Sequence, residues 1–164
     1  MKTIYLIRHA KSSWENHRLS DFERPLNTRG INDTEIIGKE LNKLNFNPEK
    51  IIASTSVRTT ATIQLLCEHI NYSFKHVIFN SKLYHPSKEN FIRVLEDLPD
   101  ELESVALVSH NYGISEFADY LTENFMEAMP TCAVVCIALE IDSWKEIVKG
   151  LGTTKWYIYP KMLA

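Results

Sequence analysis

The sequence has little of what marks several large classes of protein. Its 164 residues include no apolar run near the roughly 18 residues of a membrane span. The apolar run at residues 4–7 is also too short for the core of a signal peptide. The formal net charge is -3, whereas nucleic-acid-binding domains usually carry a basic excess. We therefore expect neither a membrane nor a nucleic acid as partner.

Cysteine is scarce, with Cys67, Cys132 and Cys136 only. An odd number this small does not make a disulfide framework. Cys132 and Cys136 fall in one predicted strand, where four residues span roughly 13 Å, and a disulfide needs Cα atoms within about 7 Å. We expect no bridge between them, three small buried apolar side chains, and a reducing, cytoplasmic location.

The five glycines form neither a dinucleotide-binding fingerprint nor a phosphate-binding P-loop. The chain also has no internal repeat, low-complexity tract or linker-like stretch. These absences predict one domain over residues 1–164.

Strands and helices alternate along the chain. Apolar runs predict strands at residues 2–8, 50–54, 76–80, 104–109, 132–139 and 154–159. Helical spacing of apolar residues predicts helices at 28–45, 57–70, 88–98 and 113–122. Thr28 is the expected cap of the first helix. The alternation predicts a three-layer α/β/α sandwich, a mostly parallel sheet with helices on both faces. No clear helix joins the last two strands, so one of them is expected to run antiparallel at an edge.

Cationic and imidazole side chains follow three of these strands. Arg8 and His9 end the first strand, Arg58 comes shortly after the second, and His110 follows the fourth. Ligands of open α/β sheets bind outside the carboxyl ends of the strands. The four side chains are therefore expected to meet at one edge of the sheet.

Two arginines and two imidazoles on one edge predict a phosphate site. A guanidinium binds phosphate oxygens with paired hydrogen bonds, and helix starts add backbone N–H groups. Histidine is a competent nucleophile when one ring nitrogen is unprotonated. His9 is thus the candidate nucleophile, with Arg8, Arg58 and His110 stabilising charge on the phosphoryl oxygens.

Simpler interpretations of each residue stay open at this point. A single histidine after a strand is commonly a capping or surface residue, and a single arginine is commonly a solvated charge. A zinc site built from His9, His110 and Asp21 is a further alternative, although flanking arginines disfavour a divalent cation. The joint pattern at three strand ends favours the anion site.

Three segments resemble the histidine phosphatase superfamily, also called phosphoglycerate mutase-like. They are residues 6–12 (LIRHAKS), 54–62 (STSVRTTAT) and 108–111 (VSHN). Within that superfamily, residues 20–30 (SDFERPLNTRG) and the short chain resemble the SixA-type phosphohistidine phosphatases. The resemblance implies the phosphoglycerate mutase-like fold, a phosphohistidine intermediate on His9, and a phosphate pocket of Arg8, Arg58 and His110. It implies no cofactor.

A general acid is harder to identify. Mutase-like members of the superfamily supply a glutamate after the third strand, where this chain has residues 83–86 (LYHP). Asp21 is the first candidate for the acid, followed by Glu23 and His85, and Asp21 can equally be a turn residue. An imidazole leaving group has a pKa near about 6.5 and is easier to expel than an alkoxide. The missing glutamate therefore favours a phosphohistidine substrate.

Three functions follow as hypotheses. The first is a phosphatase for phosphohistidine on a protein, such as a histidine-containing phosphotransfer domain. The second is a phosphatase for small phosphorylated metabolites. The third, from another class, is a non-catalytic phosphate-binding adaptor. The absence of any insertion large enough for a lid suits the first, because a phosphate displayed on another protein needs an open site.

Overall fold

The fold is a six-stranded sheet between two layers of helices. The computed structural model describes residues 1–125 and 127–164. The strands are β1 (Lys2–Arg8), β2 (Lys50–Ala53), β3 (Ile78–Phe79), β4 (Ser104–Ser109), β5 (Val134–Leu139) and β6 (Gly152–Ile158). The helices are α1 (Thr28–Lys43), α2 (Val57–Leu66), α3 (Lys88–Glu96), α4 (Gly113–Thr122) and α5 (Pro160–Leu163). The predicted α/β class is confirmed.

The order of the strands is β3-β2-β4-β1-β5-β6. β1 to β4 are parallel, whereas β5 pairs antiparallel with β1 on one side and with β6 on the other. One of the last two strands is thus reversed, as expected, but it is β5, which lies inside the sheet and not at its edge. All six residues of β5 are buried, because it is paired on both sides and covered on both faces.

Each face of the sheet packs against its own helices. α1, α2 and the short α5 cover one face, where Ile37, Leu41 and Ile63 pack. α3 and α4 cover the other, with Phe91 and Phe117 stacked at 4.8 Å between ring centroids. Within the described part of the chain, no helix has both the length and the apolar character to span a bilayer.

Some element ends differ from the prediction for local reasons. α1 is capped by Asn27, whose side chain accepts from the N–H of Gly30, so Thr28 is its first residue rather than its cap. α2 ends at Leu66, because the following residues form tighter turns such as His69 N–H to Leu66 O. A 3₁₀ turn at Phe74–His76 shortens β3 to two residues.

All three cysteines are free thiols. Cys132 and Cys136 are buried, as expected, whereas Cys67 is half-buried. Burial raises the pKa of the Cys67 and Cys136 thiols to about 11 and raises that of Cys132 further. Cys132 precedes β5 in a left-handed conformation, with φ of 64°, and its N–H donates to the carbonyl of His9.

Candidate active site

A cleft of about 360 Å³ opens at the carboxyl ends of β1, β2 and β4. The structure brings Arg8, His9, Arg58 and His110 together there, and Asp21 lies in the same cleft. Because β5 runs in the opposite direction, its amino end reaches this edge as well, and Thr131 joins the lining. The sheet therefore positions the four residues, and the loop after β1 supplies Asp21.

His9 is held by its backbone and by one ring nitrogen. Its N–H donates to Ser109 O at 3.1 Å, which ties it to the end of β4. Its Nδ1 lies 2.7 Å from Ala10 O. A carbonyl oxygen only accepts, so the proton is on Nδ1 and Nε2 keeps its lone pair. Burial lowers the pKa of His9 to about 3, which keeps the ring neutral.

Arg58 contacts His9, His110 and Asp21 in the cleft. It lies in the first turn of α2, which Ser56 caps by accepting from Thr59 N–H. Its Nε is 3.4 Å from His9 Nε2, and its Nη2 is 3.2 Å from His110 Nδ1. The same guanidinium donates to Asp21 O at 2.6 Å and to Asp21 Oδ2 at 3.0 Å.

His110 is fixed by Ser54, a fully buried residue just after β2. His110 Nε2 is 2.8 Å from Ser54 Oγ. Because Arg58 Nη2 can only donate to Nδ1, the proton of His110 lies on Nε2 and is donated to Ser54. Burial lowers the pKa of His110 to about 2, with a further contribution from His9. The ring is thus neutral beside two guanidinium groups.

The Arg8 guanidinium has one N–H group without a hydrogen-bond partner among the described residues. Its Nη1 donates to Met129 O at 2.8 Å. Its Nε is buried and, among the described residues, has no hydrogen-bond partner. Burial lowers the pKa of Arg8. A buried N–H without a partner is costly, and an anionic oxygen would satisfy it.

The Asp21 carboxylate is in contact with four side chains. Its Oδ2 accepts from Tyr84 Oη at 2.6 Å and from Arg58 Nη2 at 3.0 Å, and it lies 3.1 Å from His85 Nε2. Arg24 pairs with Oδ1 at 3.1 Å. Burial raises the pKa of Asp21, but the hydrogen bonds from Tyr84 and Arg58 outweigh it and hold that pKa well below its usual range. The carboxylate is therefore ionised.

Arg24 adds a cation that the sequence alone did not indicate. Its side chain is buried, donates to Ser12 Oγ at 2.7 Å, and stacks on Trp14 at 3.5 Å from the ring centroid. It lies in the irregular segment 10–27, where a single arginine is normally solvated. Its place in the ERPL segment, which carries the SixA-type resemblance, was the one available signal. Trp14 itself is 67% exposed at the opening.

The cleft thus has two walls of different character. The inner wall is Arg8, His9, Arg58 and His110. The outer wall is Trp14, Asp21, Arg24, Tyr84 and His85. Four cations and one carboxylate line the described cleft, namely Arg8, Lys11, Arg24, Arg58 and Asp21. This excess of positive charge around two neutral imidazoles suits a phosphoryl group.

The alternative of a zinc site can be compared with this geometry. The proposed ligands were His9, His110 and Asp21, and the Arg58 guanidinium contacts all three of them. A cation thus already stands where the metal would have to bind. Within residues 1–125 and 127–164, no group of three His, Cys, Asp or Glu side chains is arranged to hold a metal ion.

Comparison with known proteins finds similar sequences and similar folds. Residues 4–83 match the model of the histidine phosphatase superfamily (branch 1). An uncharacterized chloroplastic protein of Arabidopsis thaliana is 25% identical over 164 residues, covering 94% of this chain and 74% of that protein.

Two solved structures share the whole architecture. The protein histidine phosphatase SixA, in complex with tungstate, superposes with a TM-score of 0.82 at 21% identity, over 99% of both chains. A protein of Agrobacterium tumefaciens assigned as the phosphohistidine phosphatase SixA has a TM-score of 0.83 at 22% identity, over 97% of this chain and 98% of the other. At these identities the likeness establishes the fold, which is phosphoglycerate mutase-like as predicted.

Proposed function

Because residues 4–83 match the model of the histidine phosphatase superfamily, we propose that the chain is a phosphatase of this superfamily and that it removes phosphate from phosphohistidine on another protein. His9 is the nucleophile of this proposal. The arrangement that supports it is the imidazole of His9, which is neutral, holds its proton on Nδ1 against Ala10 O, and directs Nε2 towards Arg58. A histidine-containing phosphotransfer domain is the expected kind of partner.

In the first step, His9 Nε2 attacks phosphorus and the bond from phosphorus to the substrate imidazole breaks. The substrate ring reacts with a proton already on its other nitrogen, so the departing imidazole takes the bonding electron pair and leaves as a neutral ring. Arg8 and Arg58 offer guanidinium donors to the phosphoryl oxygens, and His110 completes the inner wall. The product of this step is a phosphoryl group on His9.

The state of Asp21 bears on the choice of substrate. Among the described residues that line the cleft, it is the single carboxylate, and its low pKa leaves it without a proton to donate. An alkoxide leaving group needs a proton, whereas an imidazole of pKa near about 6.5 does not need a strong acid. This difference favours phosphohistidine over ordinary phosphate esters. Among candidate acids, Glu23 is exposed and bonded to Ser20 instead.

A substrate panel tests the proposal. Turnover is measured on a phosphorylated phosphotransfer domain, on an aryl phosphate, and on sugar and nucleotide monophosphates. We expect the largest kcat/KM on the phosphohistidine protein and weak activity on the esters. Efficient ester hydrolysis without action on phosphohistidine would instead support the metabolite phosphatase, and binding without turnover on any substrate would support the adaptor.

A further inference from the structure

His85 is an unusual residue of the outer wall. It lies in the connection between β3 and α3 and adopts a left-handed backbone, with φ of 47°. This conformation costs roughly 1 kcal/mol or more for a residue other than glycine. The next residue, Pro86, is buried against the start of α4, where Gly113 has no room for a Cβ. The packing of Pro86 therefore keeps His85 in this strained position at the cleft.

The imidazole of His85 is oriented by Asp21. His85 Nε2 lies 3.1 Å from Asp21 Oδ2. Since Asp21 is ionised and only accepts, Nε2 carries the proton and Nδ1 is left as the acceptor of the ring. A histidine held this way by a carboxylate has a fixed tautomer and a fixed ring orientation, because the hydrogen bond determines which ring nitrogen carries the proton.

The His85 imidazole also lies in the cleft near His110, where water can reach it. His85 lines the cleft that holds His9, and its side chain is 57% exposed, so water reaches it. Its ring centroid is 5.5 Å from that of His110, which is 5.2 Å from that of His9. The acceptor nitrogens of His9 and His110, Nε2 and Nδ1 respectively, both face the Arg58 guanidinium. Among the described histidines that line the cleft, His85 is the one whose acceptor nitrogen remains available to a water molecule.

We propose that His85 is the general base that activates the water which hydrolyses phosphoryl-His9, and that Asp21 is its positioning residue. The inference rests on the phosphoryl-His9 intermediate of the proposed function, but not on the identity of the substrate. The water oxygen bonds to phosphorus and the bond from phosphorus to His9 Nε2 breaks. The proton of the water passes to His85 Nδ1, and inorganic phosphate leaves with neutral His9 restored.

The two halves of the reaction place different demands on the cleft. Expulsion of an imidazole in the first half proceeds without a strong acid. Water in the second half is a weak nucleophile until a base removes its proton, and a positioned base contributes about 10²–10⁴-fold. Removal of His85 should therefore slow the second half and spare the first.

The left-handed backbone at residue 85 dictates the test variants. Asparagine and glycine tolerate this conformation and alanine does not. His85→Asn keeps a polar side chain near Asp21 without a titratable base, and His85→Gly opens space for added imidazole. His76→Asn is the matched control, since His76 is exposed in the turn before β3, at the opposite edge of the sheet.

The experiment follows one turnover of a nitrophenyl phosphate by rapid mixing, with an acid-lability assay for phosphohistidine. For His85→Asn we expect a burst of about one equivalent of nitrophenol, a steady-state rate lower by about 10²-fold, and accumulation of phosphoryl-His9. Added imidazole should raise the steady-state rate of His85→Gly and not that of His85→Asn. His76→Asn should behave like the wild type.

Two results would overturn the role of His85. One is a wild-type steady-state rate in His85→Asn. The other is an equal loss in the burst and steady-state phases, since His85 would then act in binding or in the first half. Activity that persists in His9→Ala contradicts the proposed nucleophile instead, so failure of the proposed function is recognised separately.

Discussion

The inner and outer walls of the cleft are built by different means. Arg8, His9 and His110 of the inner wall lie at or just beyond strand ends, where backbone hydrogen bonds between β1, β4 and the segment before β5 fix the chain. Arg58 lies in the first turn of α2. Residues of the outer wall lie on connections and are held mainly by side-chain contacts around Asp21. The comparison indicates a rigid site for phosphoryl chemistry, with selection of the partner left to the more exposed loops.

The largest expected effect is on the inner wall, at His9. His9→Ala removes the group that attacks phosphorus, so we expect kcat for an aryl phosphate to fall by about 10⁴-fold or more. A stopped spectrophotometric assay measures the rate, and thermal unfolding checks that the variant is folded. His76→Asn again provides a matched histidine substitution. Equal rates in His9→Ala and the wild type would refute the nucleophile.

Arg58 joins the two walls and is expected to show the next largest effect. Arg58→Lys keeps the positive charge but loses the planar fork that reaches His9, His110 and Asp21 together. We expect kcat/KM for the aryl phosphate to fall by about 10²–10³-fold, with weaker inhibition by inorganic phosphate. Arg29→Lys, at an exposed position of α1, is the control. A change below about threefold would show that the fork is dispensable.

The ionisable residues of the two walls should change the free energy of unfolding in different pH ranges. His9 and His110, with pKa values of about 3 and about 2 when folded, take up protons below about 6.5 once unfolded. The unfolded state then binds more protons, so stability falls as the pH drops below about 6.5, by up to about 1.4 kcal/mol per pH unit for each histidine. Urea unfolding at pH 7 and pH 5 measures this loss, and His110→Gln should reduce it.

The contribution of Asp21 to stability is also lost as the pH falls, but in a lower pH range. Its folded pKa is below its unfolded value of about 3.9, so its contribution is present above about pH 4 and is lost as the pH falls further. The difference in unfolding free energy between the wild type and Asp21→Asn should therefore be constant from pH 7 to 5 and narrow below about pH 4. If the difference in unfolding free energy between the two proteins already narrowed between pH 7 and 5, Asp21 would not be ionised in the folded state.

The smallest expected effect is at the rim of the outer wall. Trp14 is exposed and stacks on Arg24, and an exposed aromatic ring at an opening commonly contacts a protein partner. Trp14→Ala should raise KM for a phosphorylated protein about fivefold, which corresponds to about 1 kcal/mol, and should change KM for an aryl phosphate less. An equal change for both substrates would exclude a role confined to protein recognition.

The same division explains how much could be predicted from the sequence. Arg8, His9, Arg58 and His110 follow recognisable strands, and parallel strands bring their carboxyl ends to one edge. The proximity of these four side chains could therefore be predicted from the spacing of apolar residues along the sequence. The class of the fold and most of its helices and strands could be predicted in the same way. Their catalytic roles stay predictions until the variants are measured.

The outer wall resisted prediction because tertiary contacts create it. Asp21 was named as a possible acid, but three of its four partners, Arg58, Tyr84 and His85, come from distant parts of the chain. Together with Arg24, they keep the carboxyl ionised. Tyr84 and Arg24 carried no periodic signal, and Ser54 was indistinguishable from a polar turn residue until His110 was seen against it. The reversal of β5 likewise depended on which strand paired with β1, which no local pattern encodes.

The burial of the three thiols has a practical consequence for spectroscopy. Cys67, Cys132 and Cys136 are protonated at neutral pH, and maleimides react with thiolates. A cysteine introduced by Trp14→Cys at the exposed rim would accept a fluorescent dye almost alone. The wild-type background thus permits a single reporter at the mouth of the cleft, whose emission would follow the binding and release of the proposed phosphorylated partner in real time.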